Sequence, residues 1–401
     1  MGRSIDVARA FVRARWLPSR APQVQPSGPV ETLAGFEANF AERNVLGLTL
    51  EQARQEAERE LAGAAPNFPG YSFGLSTGST GRPGVFLTSE RERDAWLGAI
   101  LGKFLPLQLL LNGADIALVL KHNNSLYAGV TKTRWLRLHY FNAAEPVDEW
   151  VESLCRLAPA VLVGPVSLLE QVASSGAFAK RPWRPQLLLA GAEPLFPQDR
   201  ALLRRAYDVA PRVIYQAKEG FLGVECVHGG IHLNEDLLQF ERISLAKNRF
   251  VPVITDFTRK SQRYRRVRLD DILIQGQVPC KCGSPHATLE GVEGRANDVL
   301  LLEDGPLFPW EVNGLLAPHL KGKDYRVTQV DGRLVTFAVE GGAAAGALAA
   351  LEQGIGLRVG IEAYEAPAPG EKRRRIRRMF DVQNGWLNDN EGAAPSFVLG
   401  A

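Results

Sequence analysis

The stretch "AVLVGPVSLLEQVASSGAF" at residues 160–178 decides the fold of this chain. It begins with an apolar run typical of a buried strand, turns at Gly164 and Pro165, and continues with apolar residues at helical spacing. The same order recurs at residues 186–209, where "QLLLAGAEPL" precedes the helical "PQDRALLRRAYDV". Strands separated by helices of this length predict a parallel sheet covered by helices.

Strand-like and helix-like segments also alternate before this stretch. A buried strand, an alternating strand and a helix are expected at residues 114–123, 133–141 and 147–158. Near the other end, residues 325–339 contain two strand-like runs joined at Asp331 and Gly332, a strong hairpin signal. We therefore predict an α/β fold: a large N-terminal domain of helix-covered, mostly parallel sheets (residues 1–297) and a small, mobile C-terminal α+β domain (residues 298–401).

Composition excludes several classes of function. The net charge of +3 is too small to indicate a polyanionic partner, so nucleic-acid binding is not expected. No apolar run approaches the roughly 20 residues that cross a bilayer, so no membrane span is expected. The basic N-terminus is interpreted as a helix docked on the domain, with a surface-binding amphipathic helix as the alternative. We expect a cytoplasmic protein whose four cysteines are free thiols or metal ligands.

An unbroken run of hydroxyl residues and glycines occurs within "YSFGLSTGSTGRPGVF" at residues 71–86. Its members are Ser76, Thr77, Gly78, Ser79, Thr80 and Gly81. These residues suit neither a core nor a helix, but their N–H and O–H groups can all face one anion. The run lacks both the Gly-Lys-Ser/Thr ending of a Walker loop and the spacing of a dinucleotide fingerprint. We interpret it as a loop that binds nucleotide phosphates, with a Ser/Gly linker as the alternative.

Three later segments place polar residues where open α/β sheets bind their ligands. "GAEPL" closes a buried strand at residues 191–195. In "VIYQAKEGF", Tyr215 can pack on a base and Glu219 can hold Mg²⁺ as a hard oxygen ligand. In "RRVRLDDIL", Asp271 can accept hydrogen bonds from ribose hydroxyls. Aromatic and acidic residues at strand ends are common, so the order of these segments is the more specific signal.

These segments resemble the motifs of one superfamily. In order, they are "STGSTGRPG", "GAEPL", "YQAKEG", "ITDFTRKSQRYRRVRLDDIL" and "GRAND". They are similar to the motifs of adenylate-forming enzymes, the acyl- and aryl-CoA synthetases, in the branch of phenylacetate-CoA ligase and the deazaflavin-cofactor synthetases. The resemblance covers residues 37–300 and is weaker beyond. It implies an enzyme that makes an acyl-AMP from a carboxylate and ATP, releases pyrophosphate and passes the acyl group to a thiol.

The resemblance also implies roles for individual residues. Besides the hydroxyl-rich loop on the ATP phosphates, the cofactor-binding residues would be Gly191, Ala192, Glu193, Tyr215, Gln216, Asp271 and Arg295. The adenine would lie along residues 191–193 and stack on Tyr215, while Asp271 would hold the ribose. Arg295 would approach the ribose or a phosphate, and Glu219 would bind Mg²⁺.

A catalytic cation is expected near the C-terminus. Attack of a carboxylate on the α-phosphorus joins two anions, so the site needs positive charge that is fixed beforehand. In the family a lysine supplies it, and "PGEKRRRIRRMF" at residues 369–380 makes Lys372 the corresponding residue. Arg373 replaces it if the alignment is off by one position. The basic run is otherwise a solvated strand edge or a polyanion-binding patch, although it lacks the interleaved aromatic residues of nucleic-acid sites.

Lys218 departs from the family pattern. The family has threonine at this position, in "YQATEG", and its hydroxyl helps to hold phosphate. Lys218 either replaces that contact with a charge, as a catalytic residue, or blocks the pocket. The alternative function is therefore a catalytically weakened, nucleotide-binding homologue that acts as a scaffold.

Three cysteines and a histidine have the character of a metal site. Cys226 and His232 have five residues between them, and "PCKCGSPH" supplies Cys280 and Cys282. Four such ligands suit a tetrahedral, structural Zn²⁺, and similar residues occur in the branch that the chain resembles. Buried free thiols are the alternative to a metal site. The alternative histidine ligands are His228 and His286.

The substrate acid and the acyl acceptor stay open at the level of sequence. The family activates aryl and fatty acids, and an aromatic carboxylate is preferred by analogy alone. The acceptor is coenzyme A, the phosphopantetheine thiol of a carrier protein, or an amine.

Overall fold

The computed structural model of this protein describes residues 2–17, 25, 27–76, 83–121, 136–276, 279–342 and 344–380. Within them, the helices are α1 (Gly2–Trp16), α2 (Leu33–Ala38), α3 (Phe40–Arg43), α4 (Leu50–Leu61), α5 (Glu90–Phe104), α6 (Leu107–Asn112), α7 (Val147–Leu157), α8 (Val166–Ser174), α9 (Gly176–Lys180), α10 (Pro197–Tyr207), α11 (Pro309–Leu320) and α12 (Ala345–Ile355). The strands are β1 (Glu31–Thr32), β2 (Tyr71–Leu75), β3 (Val85–Ser89), β4 (Ala114–Leu120), β5 (Leu136–Asn142), β6 (Val161–Pro165), β7 (Leu187–Gly191), β8 (Arg212–Ala217), β9 (Gly220–Glu225), β10 (Ile231–Leu233), β11 (Leu238–Ser244), β12 (Arg249–Asp256), β13 (Val267–Arg268), β14 (Asp271–Gln275), β15 (Thr288–Arg295), β16 (Leu300–Leu302), β17 (Gly305–Leu307), β18 (Tyr325–Gln329), β19 (Val335–Val339), β20 (Val359–Ile361) and β21 (Ile376–Arg378).

One part of the large sheet is parallel, with its strands in the order β5, β4, β6, β7, β8. Alternate side chains of these strands enter two different cores, which explains their unbroken apolar runs. In β7, Leu188 lies in the core formed with α7, α8 and α10, whereas Leu187 and Leu189 lie in the core formed with α5 and α6. The prediction of a parallel sheet between layers of helices is confirmed.

The other part of the large sheet is antiparallel, in the order β8, β9, β10, β15, β14, β12, with β11 and β13 beyond. The short strand β1 lies at its outer edge and pairs parallel with β13. Lys218 and Glu219 form the two-residue connection of the hairpin between β8 and β9. In the described residues, these strands follow one another without the crossover helices that parallel neighbours require, so they pair antiparallel. The separate hairpin of β2 and β3 shares a core with this part, in which Leu87 and Tyr264 are fully buried.

Residues from β16 onward form a smaller unit with its own four-stranded sheet, in the order β20, β19, β18, β21. Helices α11 and α12 share its core, where Phe337 and Leu351 are buried. Phe196 of the large unit packs into the same core and thereby joins the two units. The predicted fold, a large helix-covered sheet domain with a small C-terminal α+β domain, is confirmed, while the boundary after residue 297 stays a prediction.

The N-terminal helix α1 packs closely along α5. Gly98 and Gly102 permit this contact, since a Cβ at these positions would lie 2.3 Å from the Val7 carbonyl oxygen and 2.7 Å from that of Phe11. The arrangement agrees with a docked N-terminal helix. None of the helices in the described part of the chain combines the length and apolar character that a bilayer-spanning helix needs.

Candidate functional site

The turn after β7 lies at the carboxyl edge of the parallel strands, where the sequence predicts a ligand. Ala192 has a φ of 63°, and the N–H of Glu193 donates to the Gly191 carbonyl at 2.8 Å, so the three residues form a γ-turn. Residues other than glycine seldom adopt this left-handed conformation, and such strain concentrates at functional sites. The turn directs the Glu193 carboxylate toward Ser167, whose N–H and hydroxyl both donate to it at 2.8 Å.

The hairpin of β8 and β9 supplies the next group of predicted residues. Tyr215 is only 6% exposed, and its hydroxyl donates to Asp271 Oδ2 at 2.8 Å. Gln216 follows it at a shift in strand register. Glu219 is 4% exposed, and burial raises the pKa of its carboxyl group above the ordinary value. The hairpin therefore presents a buried acid close to Asp271.

Asp271 and Arg295 lie opposite each other on the paired strands β14 and β15. The Nε atom of Arg295 lies 3.7 Å from Asp271 Oδ1, and the backbone N–H of Arg295 donates to Asp298 Oδ2 at 2.8 Å. Burial lowers the pKa of the Arg295 guanidinium, but the nearby carboxylates, Asp271 foremost, outweigh burial and raise it. Arg295 is therefore a fixed positive charge at this edge of the sheet.

Only the first residue of the hydroxyl-rich loop, Ser76, lies within the described part of the chain. Outside it lie Thr77, Gly78, Ser79, Thr80 and Gly81. Ser76 closes the base of the loop, because its hydroxyl accepts from the Gly84 N–H at 2.9 Å and its own N–H donates to the Gly84 carbonyl at 2.8 Å. Lys218 lies across this base, so that a Cβ at Gly84 would meet its Nζ at 2.8 Å. Glu37 neutralises the Lys218 ammonium, with Oε1 and Nζ 2.5 Å apart.

Lys372 reaches this site from the C-terminal unit and is half-buried. Burial, and then the charge of Arg295, lower the pKa of the Lys372 ammonium to about 8, while Glu193, Asp271 and Glu219 oppose that shift. The structure thus brings Lys372 together with four of the residues predicted for the nucleotide site. We call the place where these two cations and three carboxylates meet, between the large and the small unit, the cleft. Such a set of charges can bind an anion and a divalent metal side by side.

A second candidate site joins the four predicted metal ligands, Cys226, His232, Cys280 and Cys282, whose donor atoms all lie within 4.8 Å of one another. The Sγ atoms of Cys226 and Cys280 are 3.6 Å apart, and Cys282 Sγ lies 3.1 Å from His232 Nε2. Sulfur ligands about 2.3 Å from a tetrahedral Zn²⁺ lie about 3.8 Å from each other. The donor set and its spacing therefore fit this ion.

Backbone groups around the cluster favour metal-ligand chemistry. The His228 N–H donates to Cys226 Sγ at 3.4 Å, and the Ser284 N–H donates to Cys282 Sγ at 3.5 Å. Such donors stabilise thiolates. The Nδ1 atom of His232 lies 3.3 Å from the His286 carbonyl oxygen, an outer contact that directs Nε2 toward the cysteines. His228 and His286 thus contribute backbone groups, and His232 is the histidine that joins the cysteines.

Solved structures of CoA ligases share this architecture. 2-Hydroxyisobutyryl-CoA ligase in its postadenylation state, in complex with R3-HIB-AMP, superposes with a TM-score of 0.65 at 17% identity, over 96% of this chain and 89% of that one. This chain has the acyl-CoA ligase fold. Anthranilate CoA ligase AuaEII in complex with anthranoyl-AMP and ATP-bound MatB from Rhodopseudomonas palustris share the fold at 12% identity, with TM-scores of 0.52 and 0.51, over 75% and 76% of this chain and 65% of each of theirs. No protein-family model matches the sequence, and no curated protein is significantly similar to it.

Two structures of 2-hydroxyisobutyryl-CoA ligase, in different states, superpose on this chain to different extents. The open conformation of 2-hydroxyisobutyryl-CoA ligase, in complex with 2-HIB-AMP and CoA, superposes on this chain with a TM-score of 0.53, against 0.65 for the postadenylation state at the same 17% identity. The chain as a whole therefore superposes better on the postadenylation structure than on the open one. In this chain, the peptide that follows Lys372 is hydrogen-bonded to Glu193 of the large unit.

Several residues around the cleft of this acyl-CoA ligase fold were not found from sequence. They are Glu37, Ser167, Glu170 and Asp199. The first two contact Lys218 and Glu193, and the other two pair with arginines of residues 372–378. Polar residues on helices are usually solvated, so their own pattern carries no signal. The available signal was the density of positive charge at residues 372–378, since buried guanidinium groups require acidic partners.

Proposed function

We propose that this protein activates a carboxylic acid with ATP as an acyl-adenylate and then transfers the acyl group to a thiol, with coenzyme A as the preferred acceptor. The observation that carries the proposal is that the peptide after Lys372 is hydrogen-bonded to Glu193 of the β7 turn, on the sheet whose paired strands β14 and β15 hold Asp271 opposite Arg295. The acyl-AMP complexes of two ligases that share the fold support it. A short or aromatic acid is the proposed substrate class, following the acyl groups that those two neighbours carry.

In the proposed first step, a carboxylate oxygen attacks the α-phosphorus of ATP. The new oxygen–phosphorus bond forms while the bond from the α-phosphorus to the bridging oxygen breaks, and pyrophosphate leaves. Lys372 and Arg295 would balance the negative charge that accumulates on the α-phosphoryl oxygens. Because both cations are already held at the cleft, little reorganisation is needed when the reactants meet. In the second step, a thiolate attacks the acyl carbon, the thioester forms and AMP leaves.

The nucleotide would lie between the β7 turn and strand β14. Asp271 would accept hydrogen bonds from the ribose hydroxyls, and Tyr215, which donates to Asp271, would hold that carboxylate in place. The γ-turn at residues 191–193 would line the adenine. Glu219 would hold Mg²⁺, and the charge of that ion would neutralise the phosphates. The same ion would favour the ionised form of Glu219, which burial disfavours by raising the pKa of its carboxyl group.

Lys218 favours a second candidate function. Its ammonium lies over Gly84 at the base of the predicted phosphate loop and is paired with Glu37. If Lys218 stays there, it occupies space where the family has a smaller, phosphate-binding threonine. The protein would then be a nucleotide-binding scaffold with weak catalysis. In the preferred proposal, Lys218 leaves Glu37 and binds the phosphates instead.

We also propose that Cys226, His232, Cys280 and Cys282 bind a structural Zn²⁺. All four ligands come from the protein, so the ion would keep no open position for a substrate. The thiols need a reducing compartment to remain ligands, in keeping with a cytoplasmic protein. The ion would join the end of β9 to the segment that precedes β15.

The test of the main proposal is ATP–pyrophosphate exchange against a panel of aromatic and short aliphatic carboxylates. We expect Mg²⁺-dependent exchange with at least one acid, followed by thioester formation when coenzyme A is added. Carrier-protein thiols and amines serve as comparison acceptors. Calorimetric binding of ATP without exchange for any acid would favour the scaffold, and absence of ATP binding would contradict both functions.

A further inference from the structure

Two arginines of the basic run at residues 372–378 are turned away from solvent. Arg373 and Arg375 have side chains only 10% and 8% exposed, and both contact acidic residues of the large unit. Those residues are Glu170 on α8 and Asp199 in the first turn of α10. We call these four residues the arginine clamp.

Asp199 is the centre of the arginine clamp. Its side chain is only 3% exposed, and Arg375 Nη1 donates to both of its oxygens, at 2.9 and 2.7 Å. Arg373 Nη2 lies 3.4 Å from the same carboxylate, and Arg373 Nη1 donates to Glu170 Oε2 at 2.5 Å. The other end of Arg375 donates through Nε to Asp324 of the small unit at 2.5 Å. Arg375 therefore bridges an acid of each unit.

The arginine clamp is directly connected to Lys372 through the backbone. The N–H of Arg373, which belongs to the peptide that follows Lys372, donates to Glu193 Oε1 at 2.8 Å. Glu193 is itself fixed by two hydrogen bonds from Ser167. Arg373 is thus held by its backbone and by its side chain. The contacts that fix the position of Lys372 are therefore made by Arg373 and Arg375, which follow it in the chain.

Breaking one partner of a buried ion pair leaves an uncompensated charge, so the contact of this segment with the large unit would weaken if Asp199 or Arg375 lost its partner. We propose that Arg375 and Asp199 are positioning residues that hold Lys372 at the cleft for the adenylation step. The proposal rests on the proposed function. Neither residue touches a reacting atom, and their contribution is confined to the step that uses Lys372.

The test separates the two half-reactions in Arg375→Ala and Asp199→Asn. We expect ATP–pyrophosphate exchange to fall on the order of 100-fold in kcat, the effect of displacing a catalytic group by about 1 Å, with KM for ATP changed little. Transfer from chemically prepared acyl-AMP to coenzyme A should stay within about threefold of wild type, because it does not require Lys372 at the α-phosphate. Arg375→Lys should recover only part of the loss, since an ammonium cannot reproduce the guanidinium geometry.

The matched control is Arg377→Ala. It removes a guanidinium from the same run, but Arg377 is bonded to Thr328 within the small unit. We expect its exchange rate to equal that of wild type. Retention of exchange in Arg375→Ala and Asp199→Asn would overturn the proposal, as would an equal loss of both half-reactions, which is the signature of a merely structural role.

A readout independent of activity distinguishes failure of the inference from failure of the proposed function. Small-angle scattering of the full chain should give a larger radius of gyration for Arg375→Ala and Asp199→Asn than for wild type and Arg377→Ala. If the wild-type protein exchanges pyrophosphate with none of the acids, the proposed function fails. The scattering result alone then shows whether Arg375 and Asp199 hold the small unit in place. Identical radii in all four proteins would then overturn it. If Arg375→Ala fails to fold, Asp199→Asn carries both measurements.

Discussion

The Cys–His cluster and the Lys372 site lie at opposite ends of the same two strands. Cys226 follows the end of β9 and Glu219 precedes its beginning, while β15 leads from the cysteine side to Arg295. The cluster is built within the large unit alone. The Lys372 site is completed only by a residue of the small unit, held there by ion pairs.

This difference separates what each site is expected to control. Loss of a cluster ligand should lower stability and leave the mutual placement of the units unchanged. Loss of Lys372 should lower the rate of one chemical step and leave stability unchanged, whereas loss of the arginine clamp should lower that rate and also weaken the docking of the small unit. A cluster variant that is folded but exchanges pyrophosphate more slowly would show that the two sites are coupled along β9 and β15.

The largest expected effect is that of Lys372→Ala. Removal of a preorganised charge should lower pyrophosphate exchange by about two to three orders of magnitude, with little change in melting temperature. Lys180→Ala is the matched control, because Lys180 is an exposed residue in the last turn of α9, within the large unit. An unchanged exchange rate in Lys372→Ala would contradict the assignment of this lysine.

The second effect concerns the Cys–His cluster. We expect elemental analysis to find one zinc per chain, and Cys282→Ser to lower both zinc content and melting temperature. A loss of a few kcal/mol in the free energy of unfolding corresponds to a fall of about 5–10 °C in melting temperature for a domain of this size. At a temperature where the variant is folded, its exchange rate should match that of wild type.

Cys155→Ala is the control for zinc content, since Cys155 is buried in the core of α7 and away from the cluster. It should retain one zinc per chain. A wild-type protein without bound metal, or a Cys282→Ser variant with unchanged zinc content, would show that the cysteines are plain thiols.

The same contrast explains how much of the molecule the sequence could reveal. The parallel sheet was predictable because each strand and helix carries its own periodicity, as in "AVLVGPVSLLEQVASSGAF". The antiparallel part was not, because its pairing depends on how strands distant in the chain meet. Strand β10 pairs with both β9 and β15, and this pairing is what brings Cys226 to Cys280 across 54 positions.

The arginine clamp shows the limit of sequence in the clearest form. Arg375 alone looks like any surface residue of a basic run, and Asp199 alone looks like an ordinary acid in the first turn of a helix. Only docking of the small unit makes them a buried pair. Lys372 could be found through a motif, whereas the residues that place it could not.

A smaller effect is expected in the pH dependence of catalysis. Burial and the charge of Arg295 lower the pKa of Lys372 from 10.5 to about 8, so its ammonium is present below that pH and lost above it. Because kcat/KM reports groups of the free enzyme, kcat/KM for ATP should fall as the pH rises through about 8. In Lys372→Arg, whose guanidinium remains protonated, any residual activity should lack this alkaline limb. A limb that persists unchanged in Lys372→Arg would assign it to another group.

The smallest effect is that of Glu170→Gln on the arginine clamp. Burial raises the pKa of Glu170 to about 7 although Arg373 and, more weakly, Arg375 oppose the shift and Asp199 adds to it. One oxygen of Glu170 accepts from Arg373, while the other has no hydrogen-bond partner among the described residues. In the docked state, Glu170 therefore keeps its proton up to a pH of about 7, well above the ordinary value of 4.5. Its contribution to docking is complete below the ordinary value of 4.5 and is lost as the pH rises through about 7.

Glutamine imitates the protonated carboxyl at every pH. Thermal melts should therefore show Glu170→Gln and wild type together at acidic pH, and the variant a few degrees more stable above neutrality. Gln171→Glu, one position along α8, is the control for adding or removing a charge on this helix. The opposite result would be a wild-type protein that is more stable than Glu170→Gln above neutrality. It would show that the attraction between Arg373 and the ionised Glu170 outweighs the cost of burying that charge, so that both Glu170 and Asp199 hold the clamp as ion pairs.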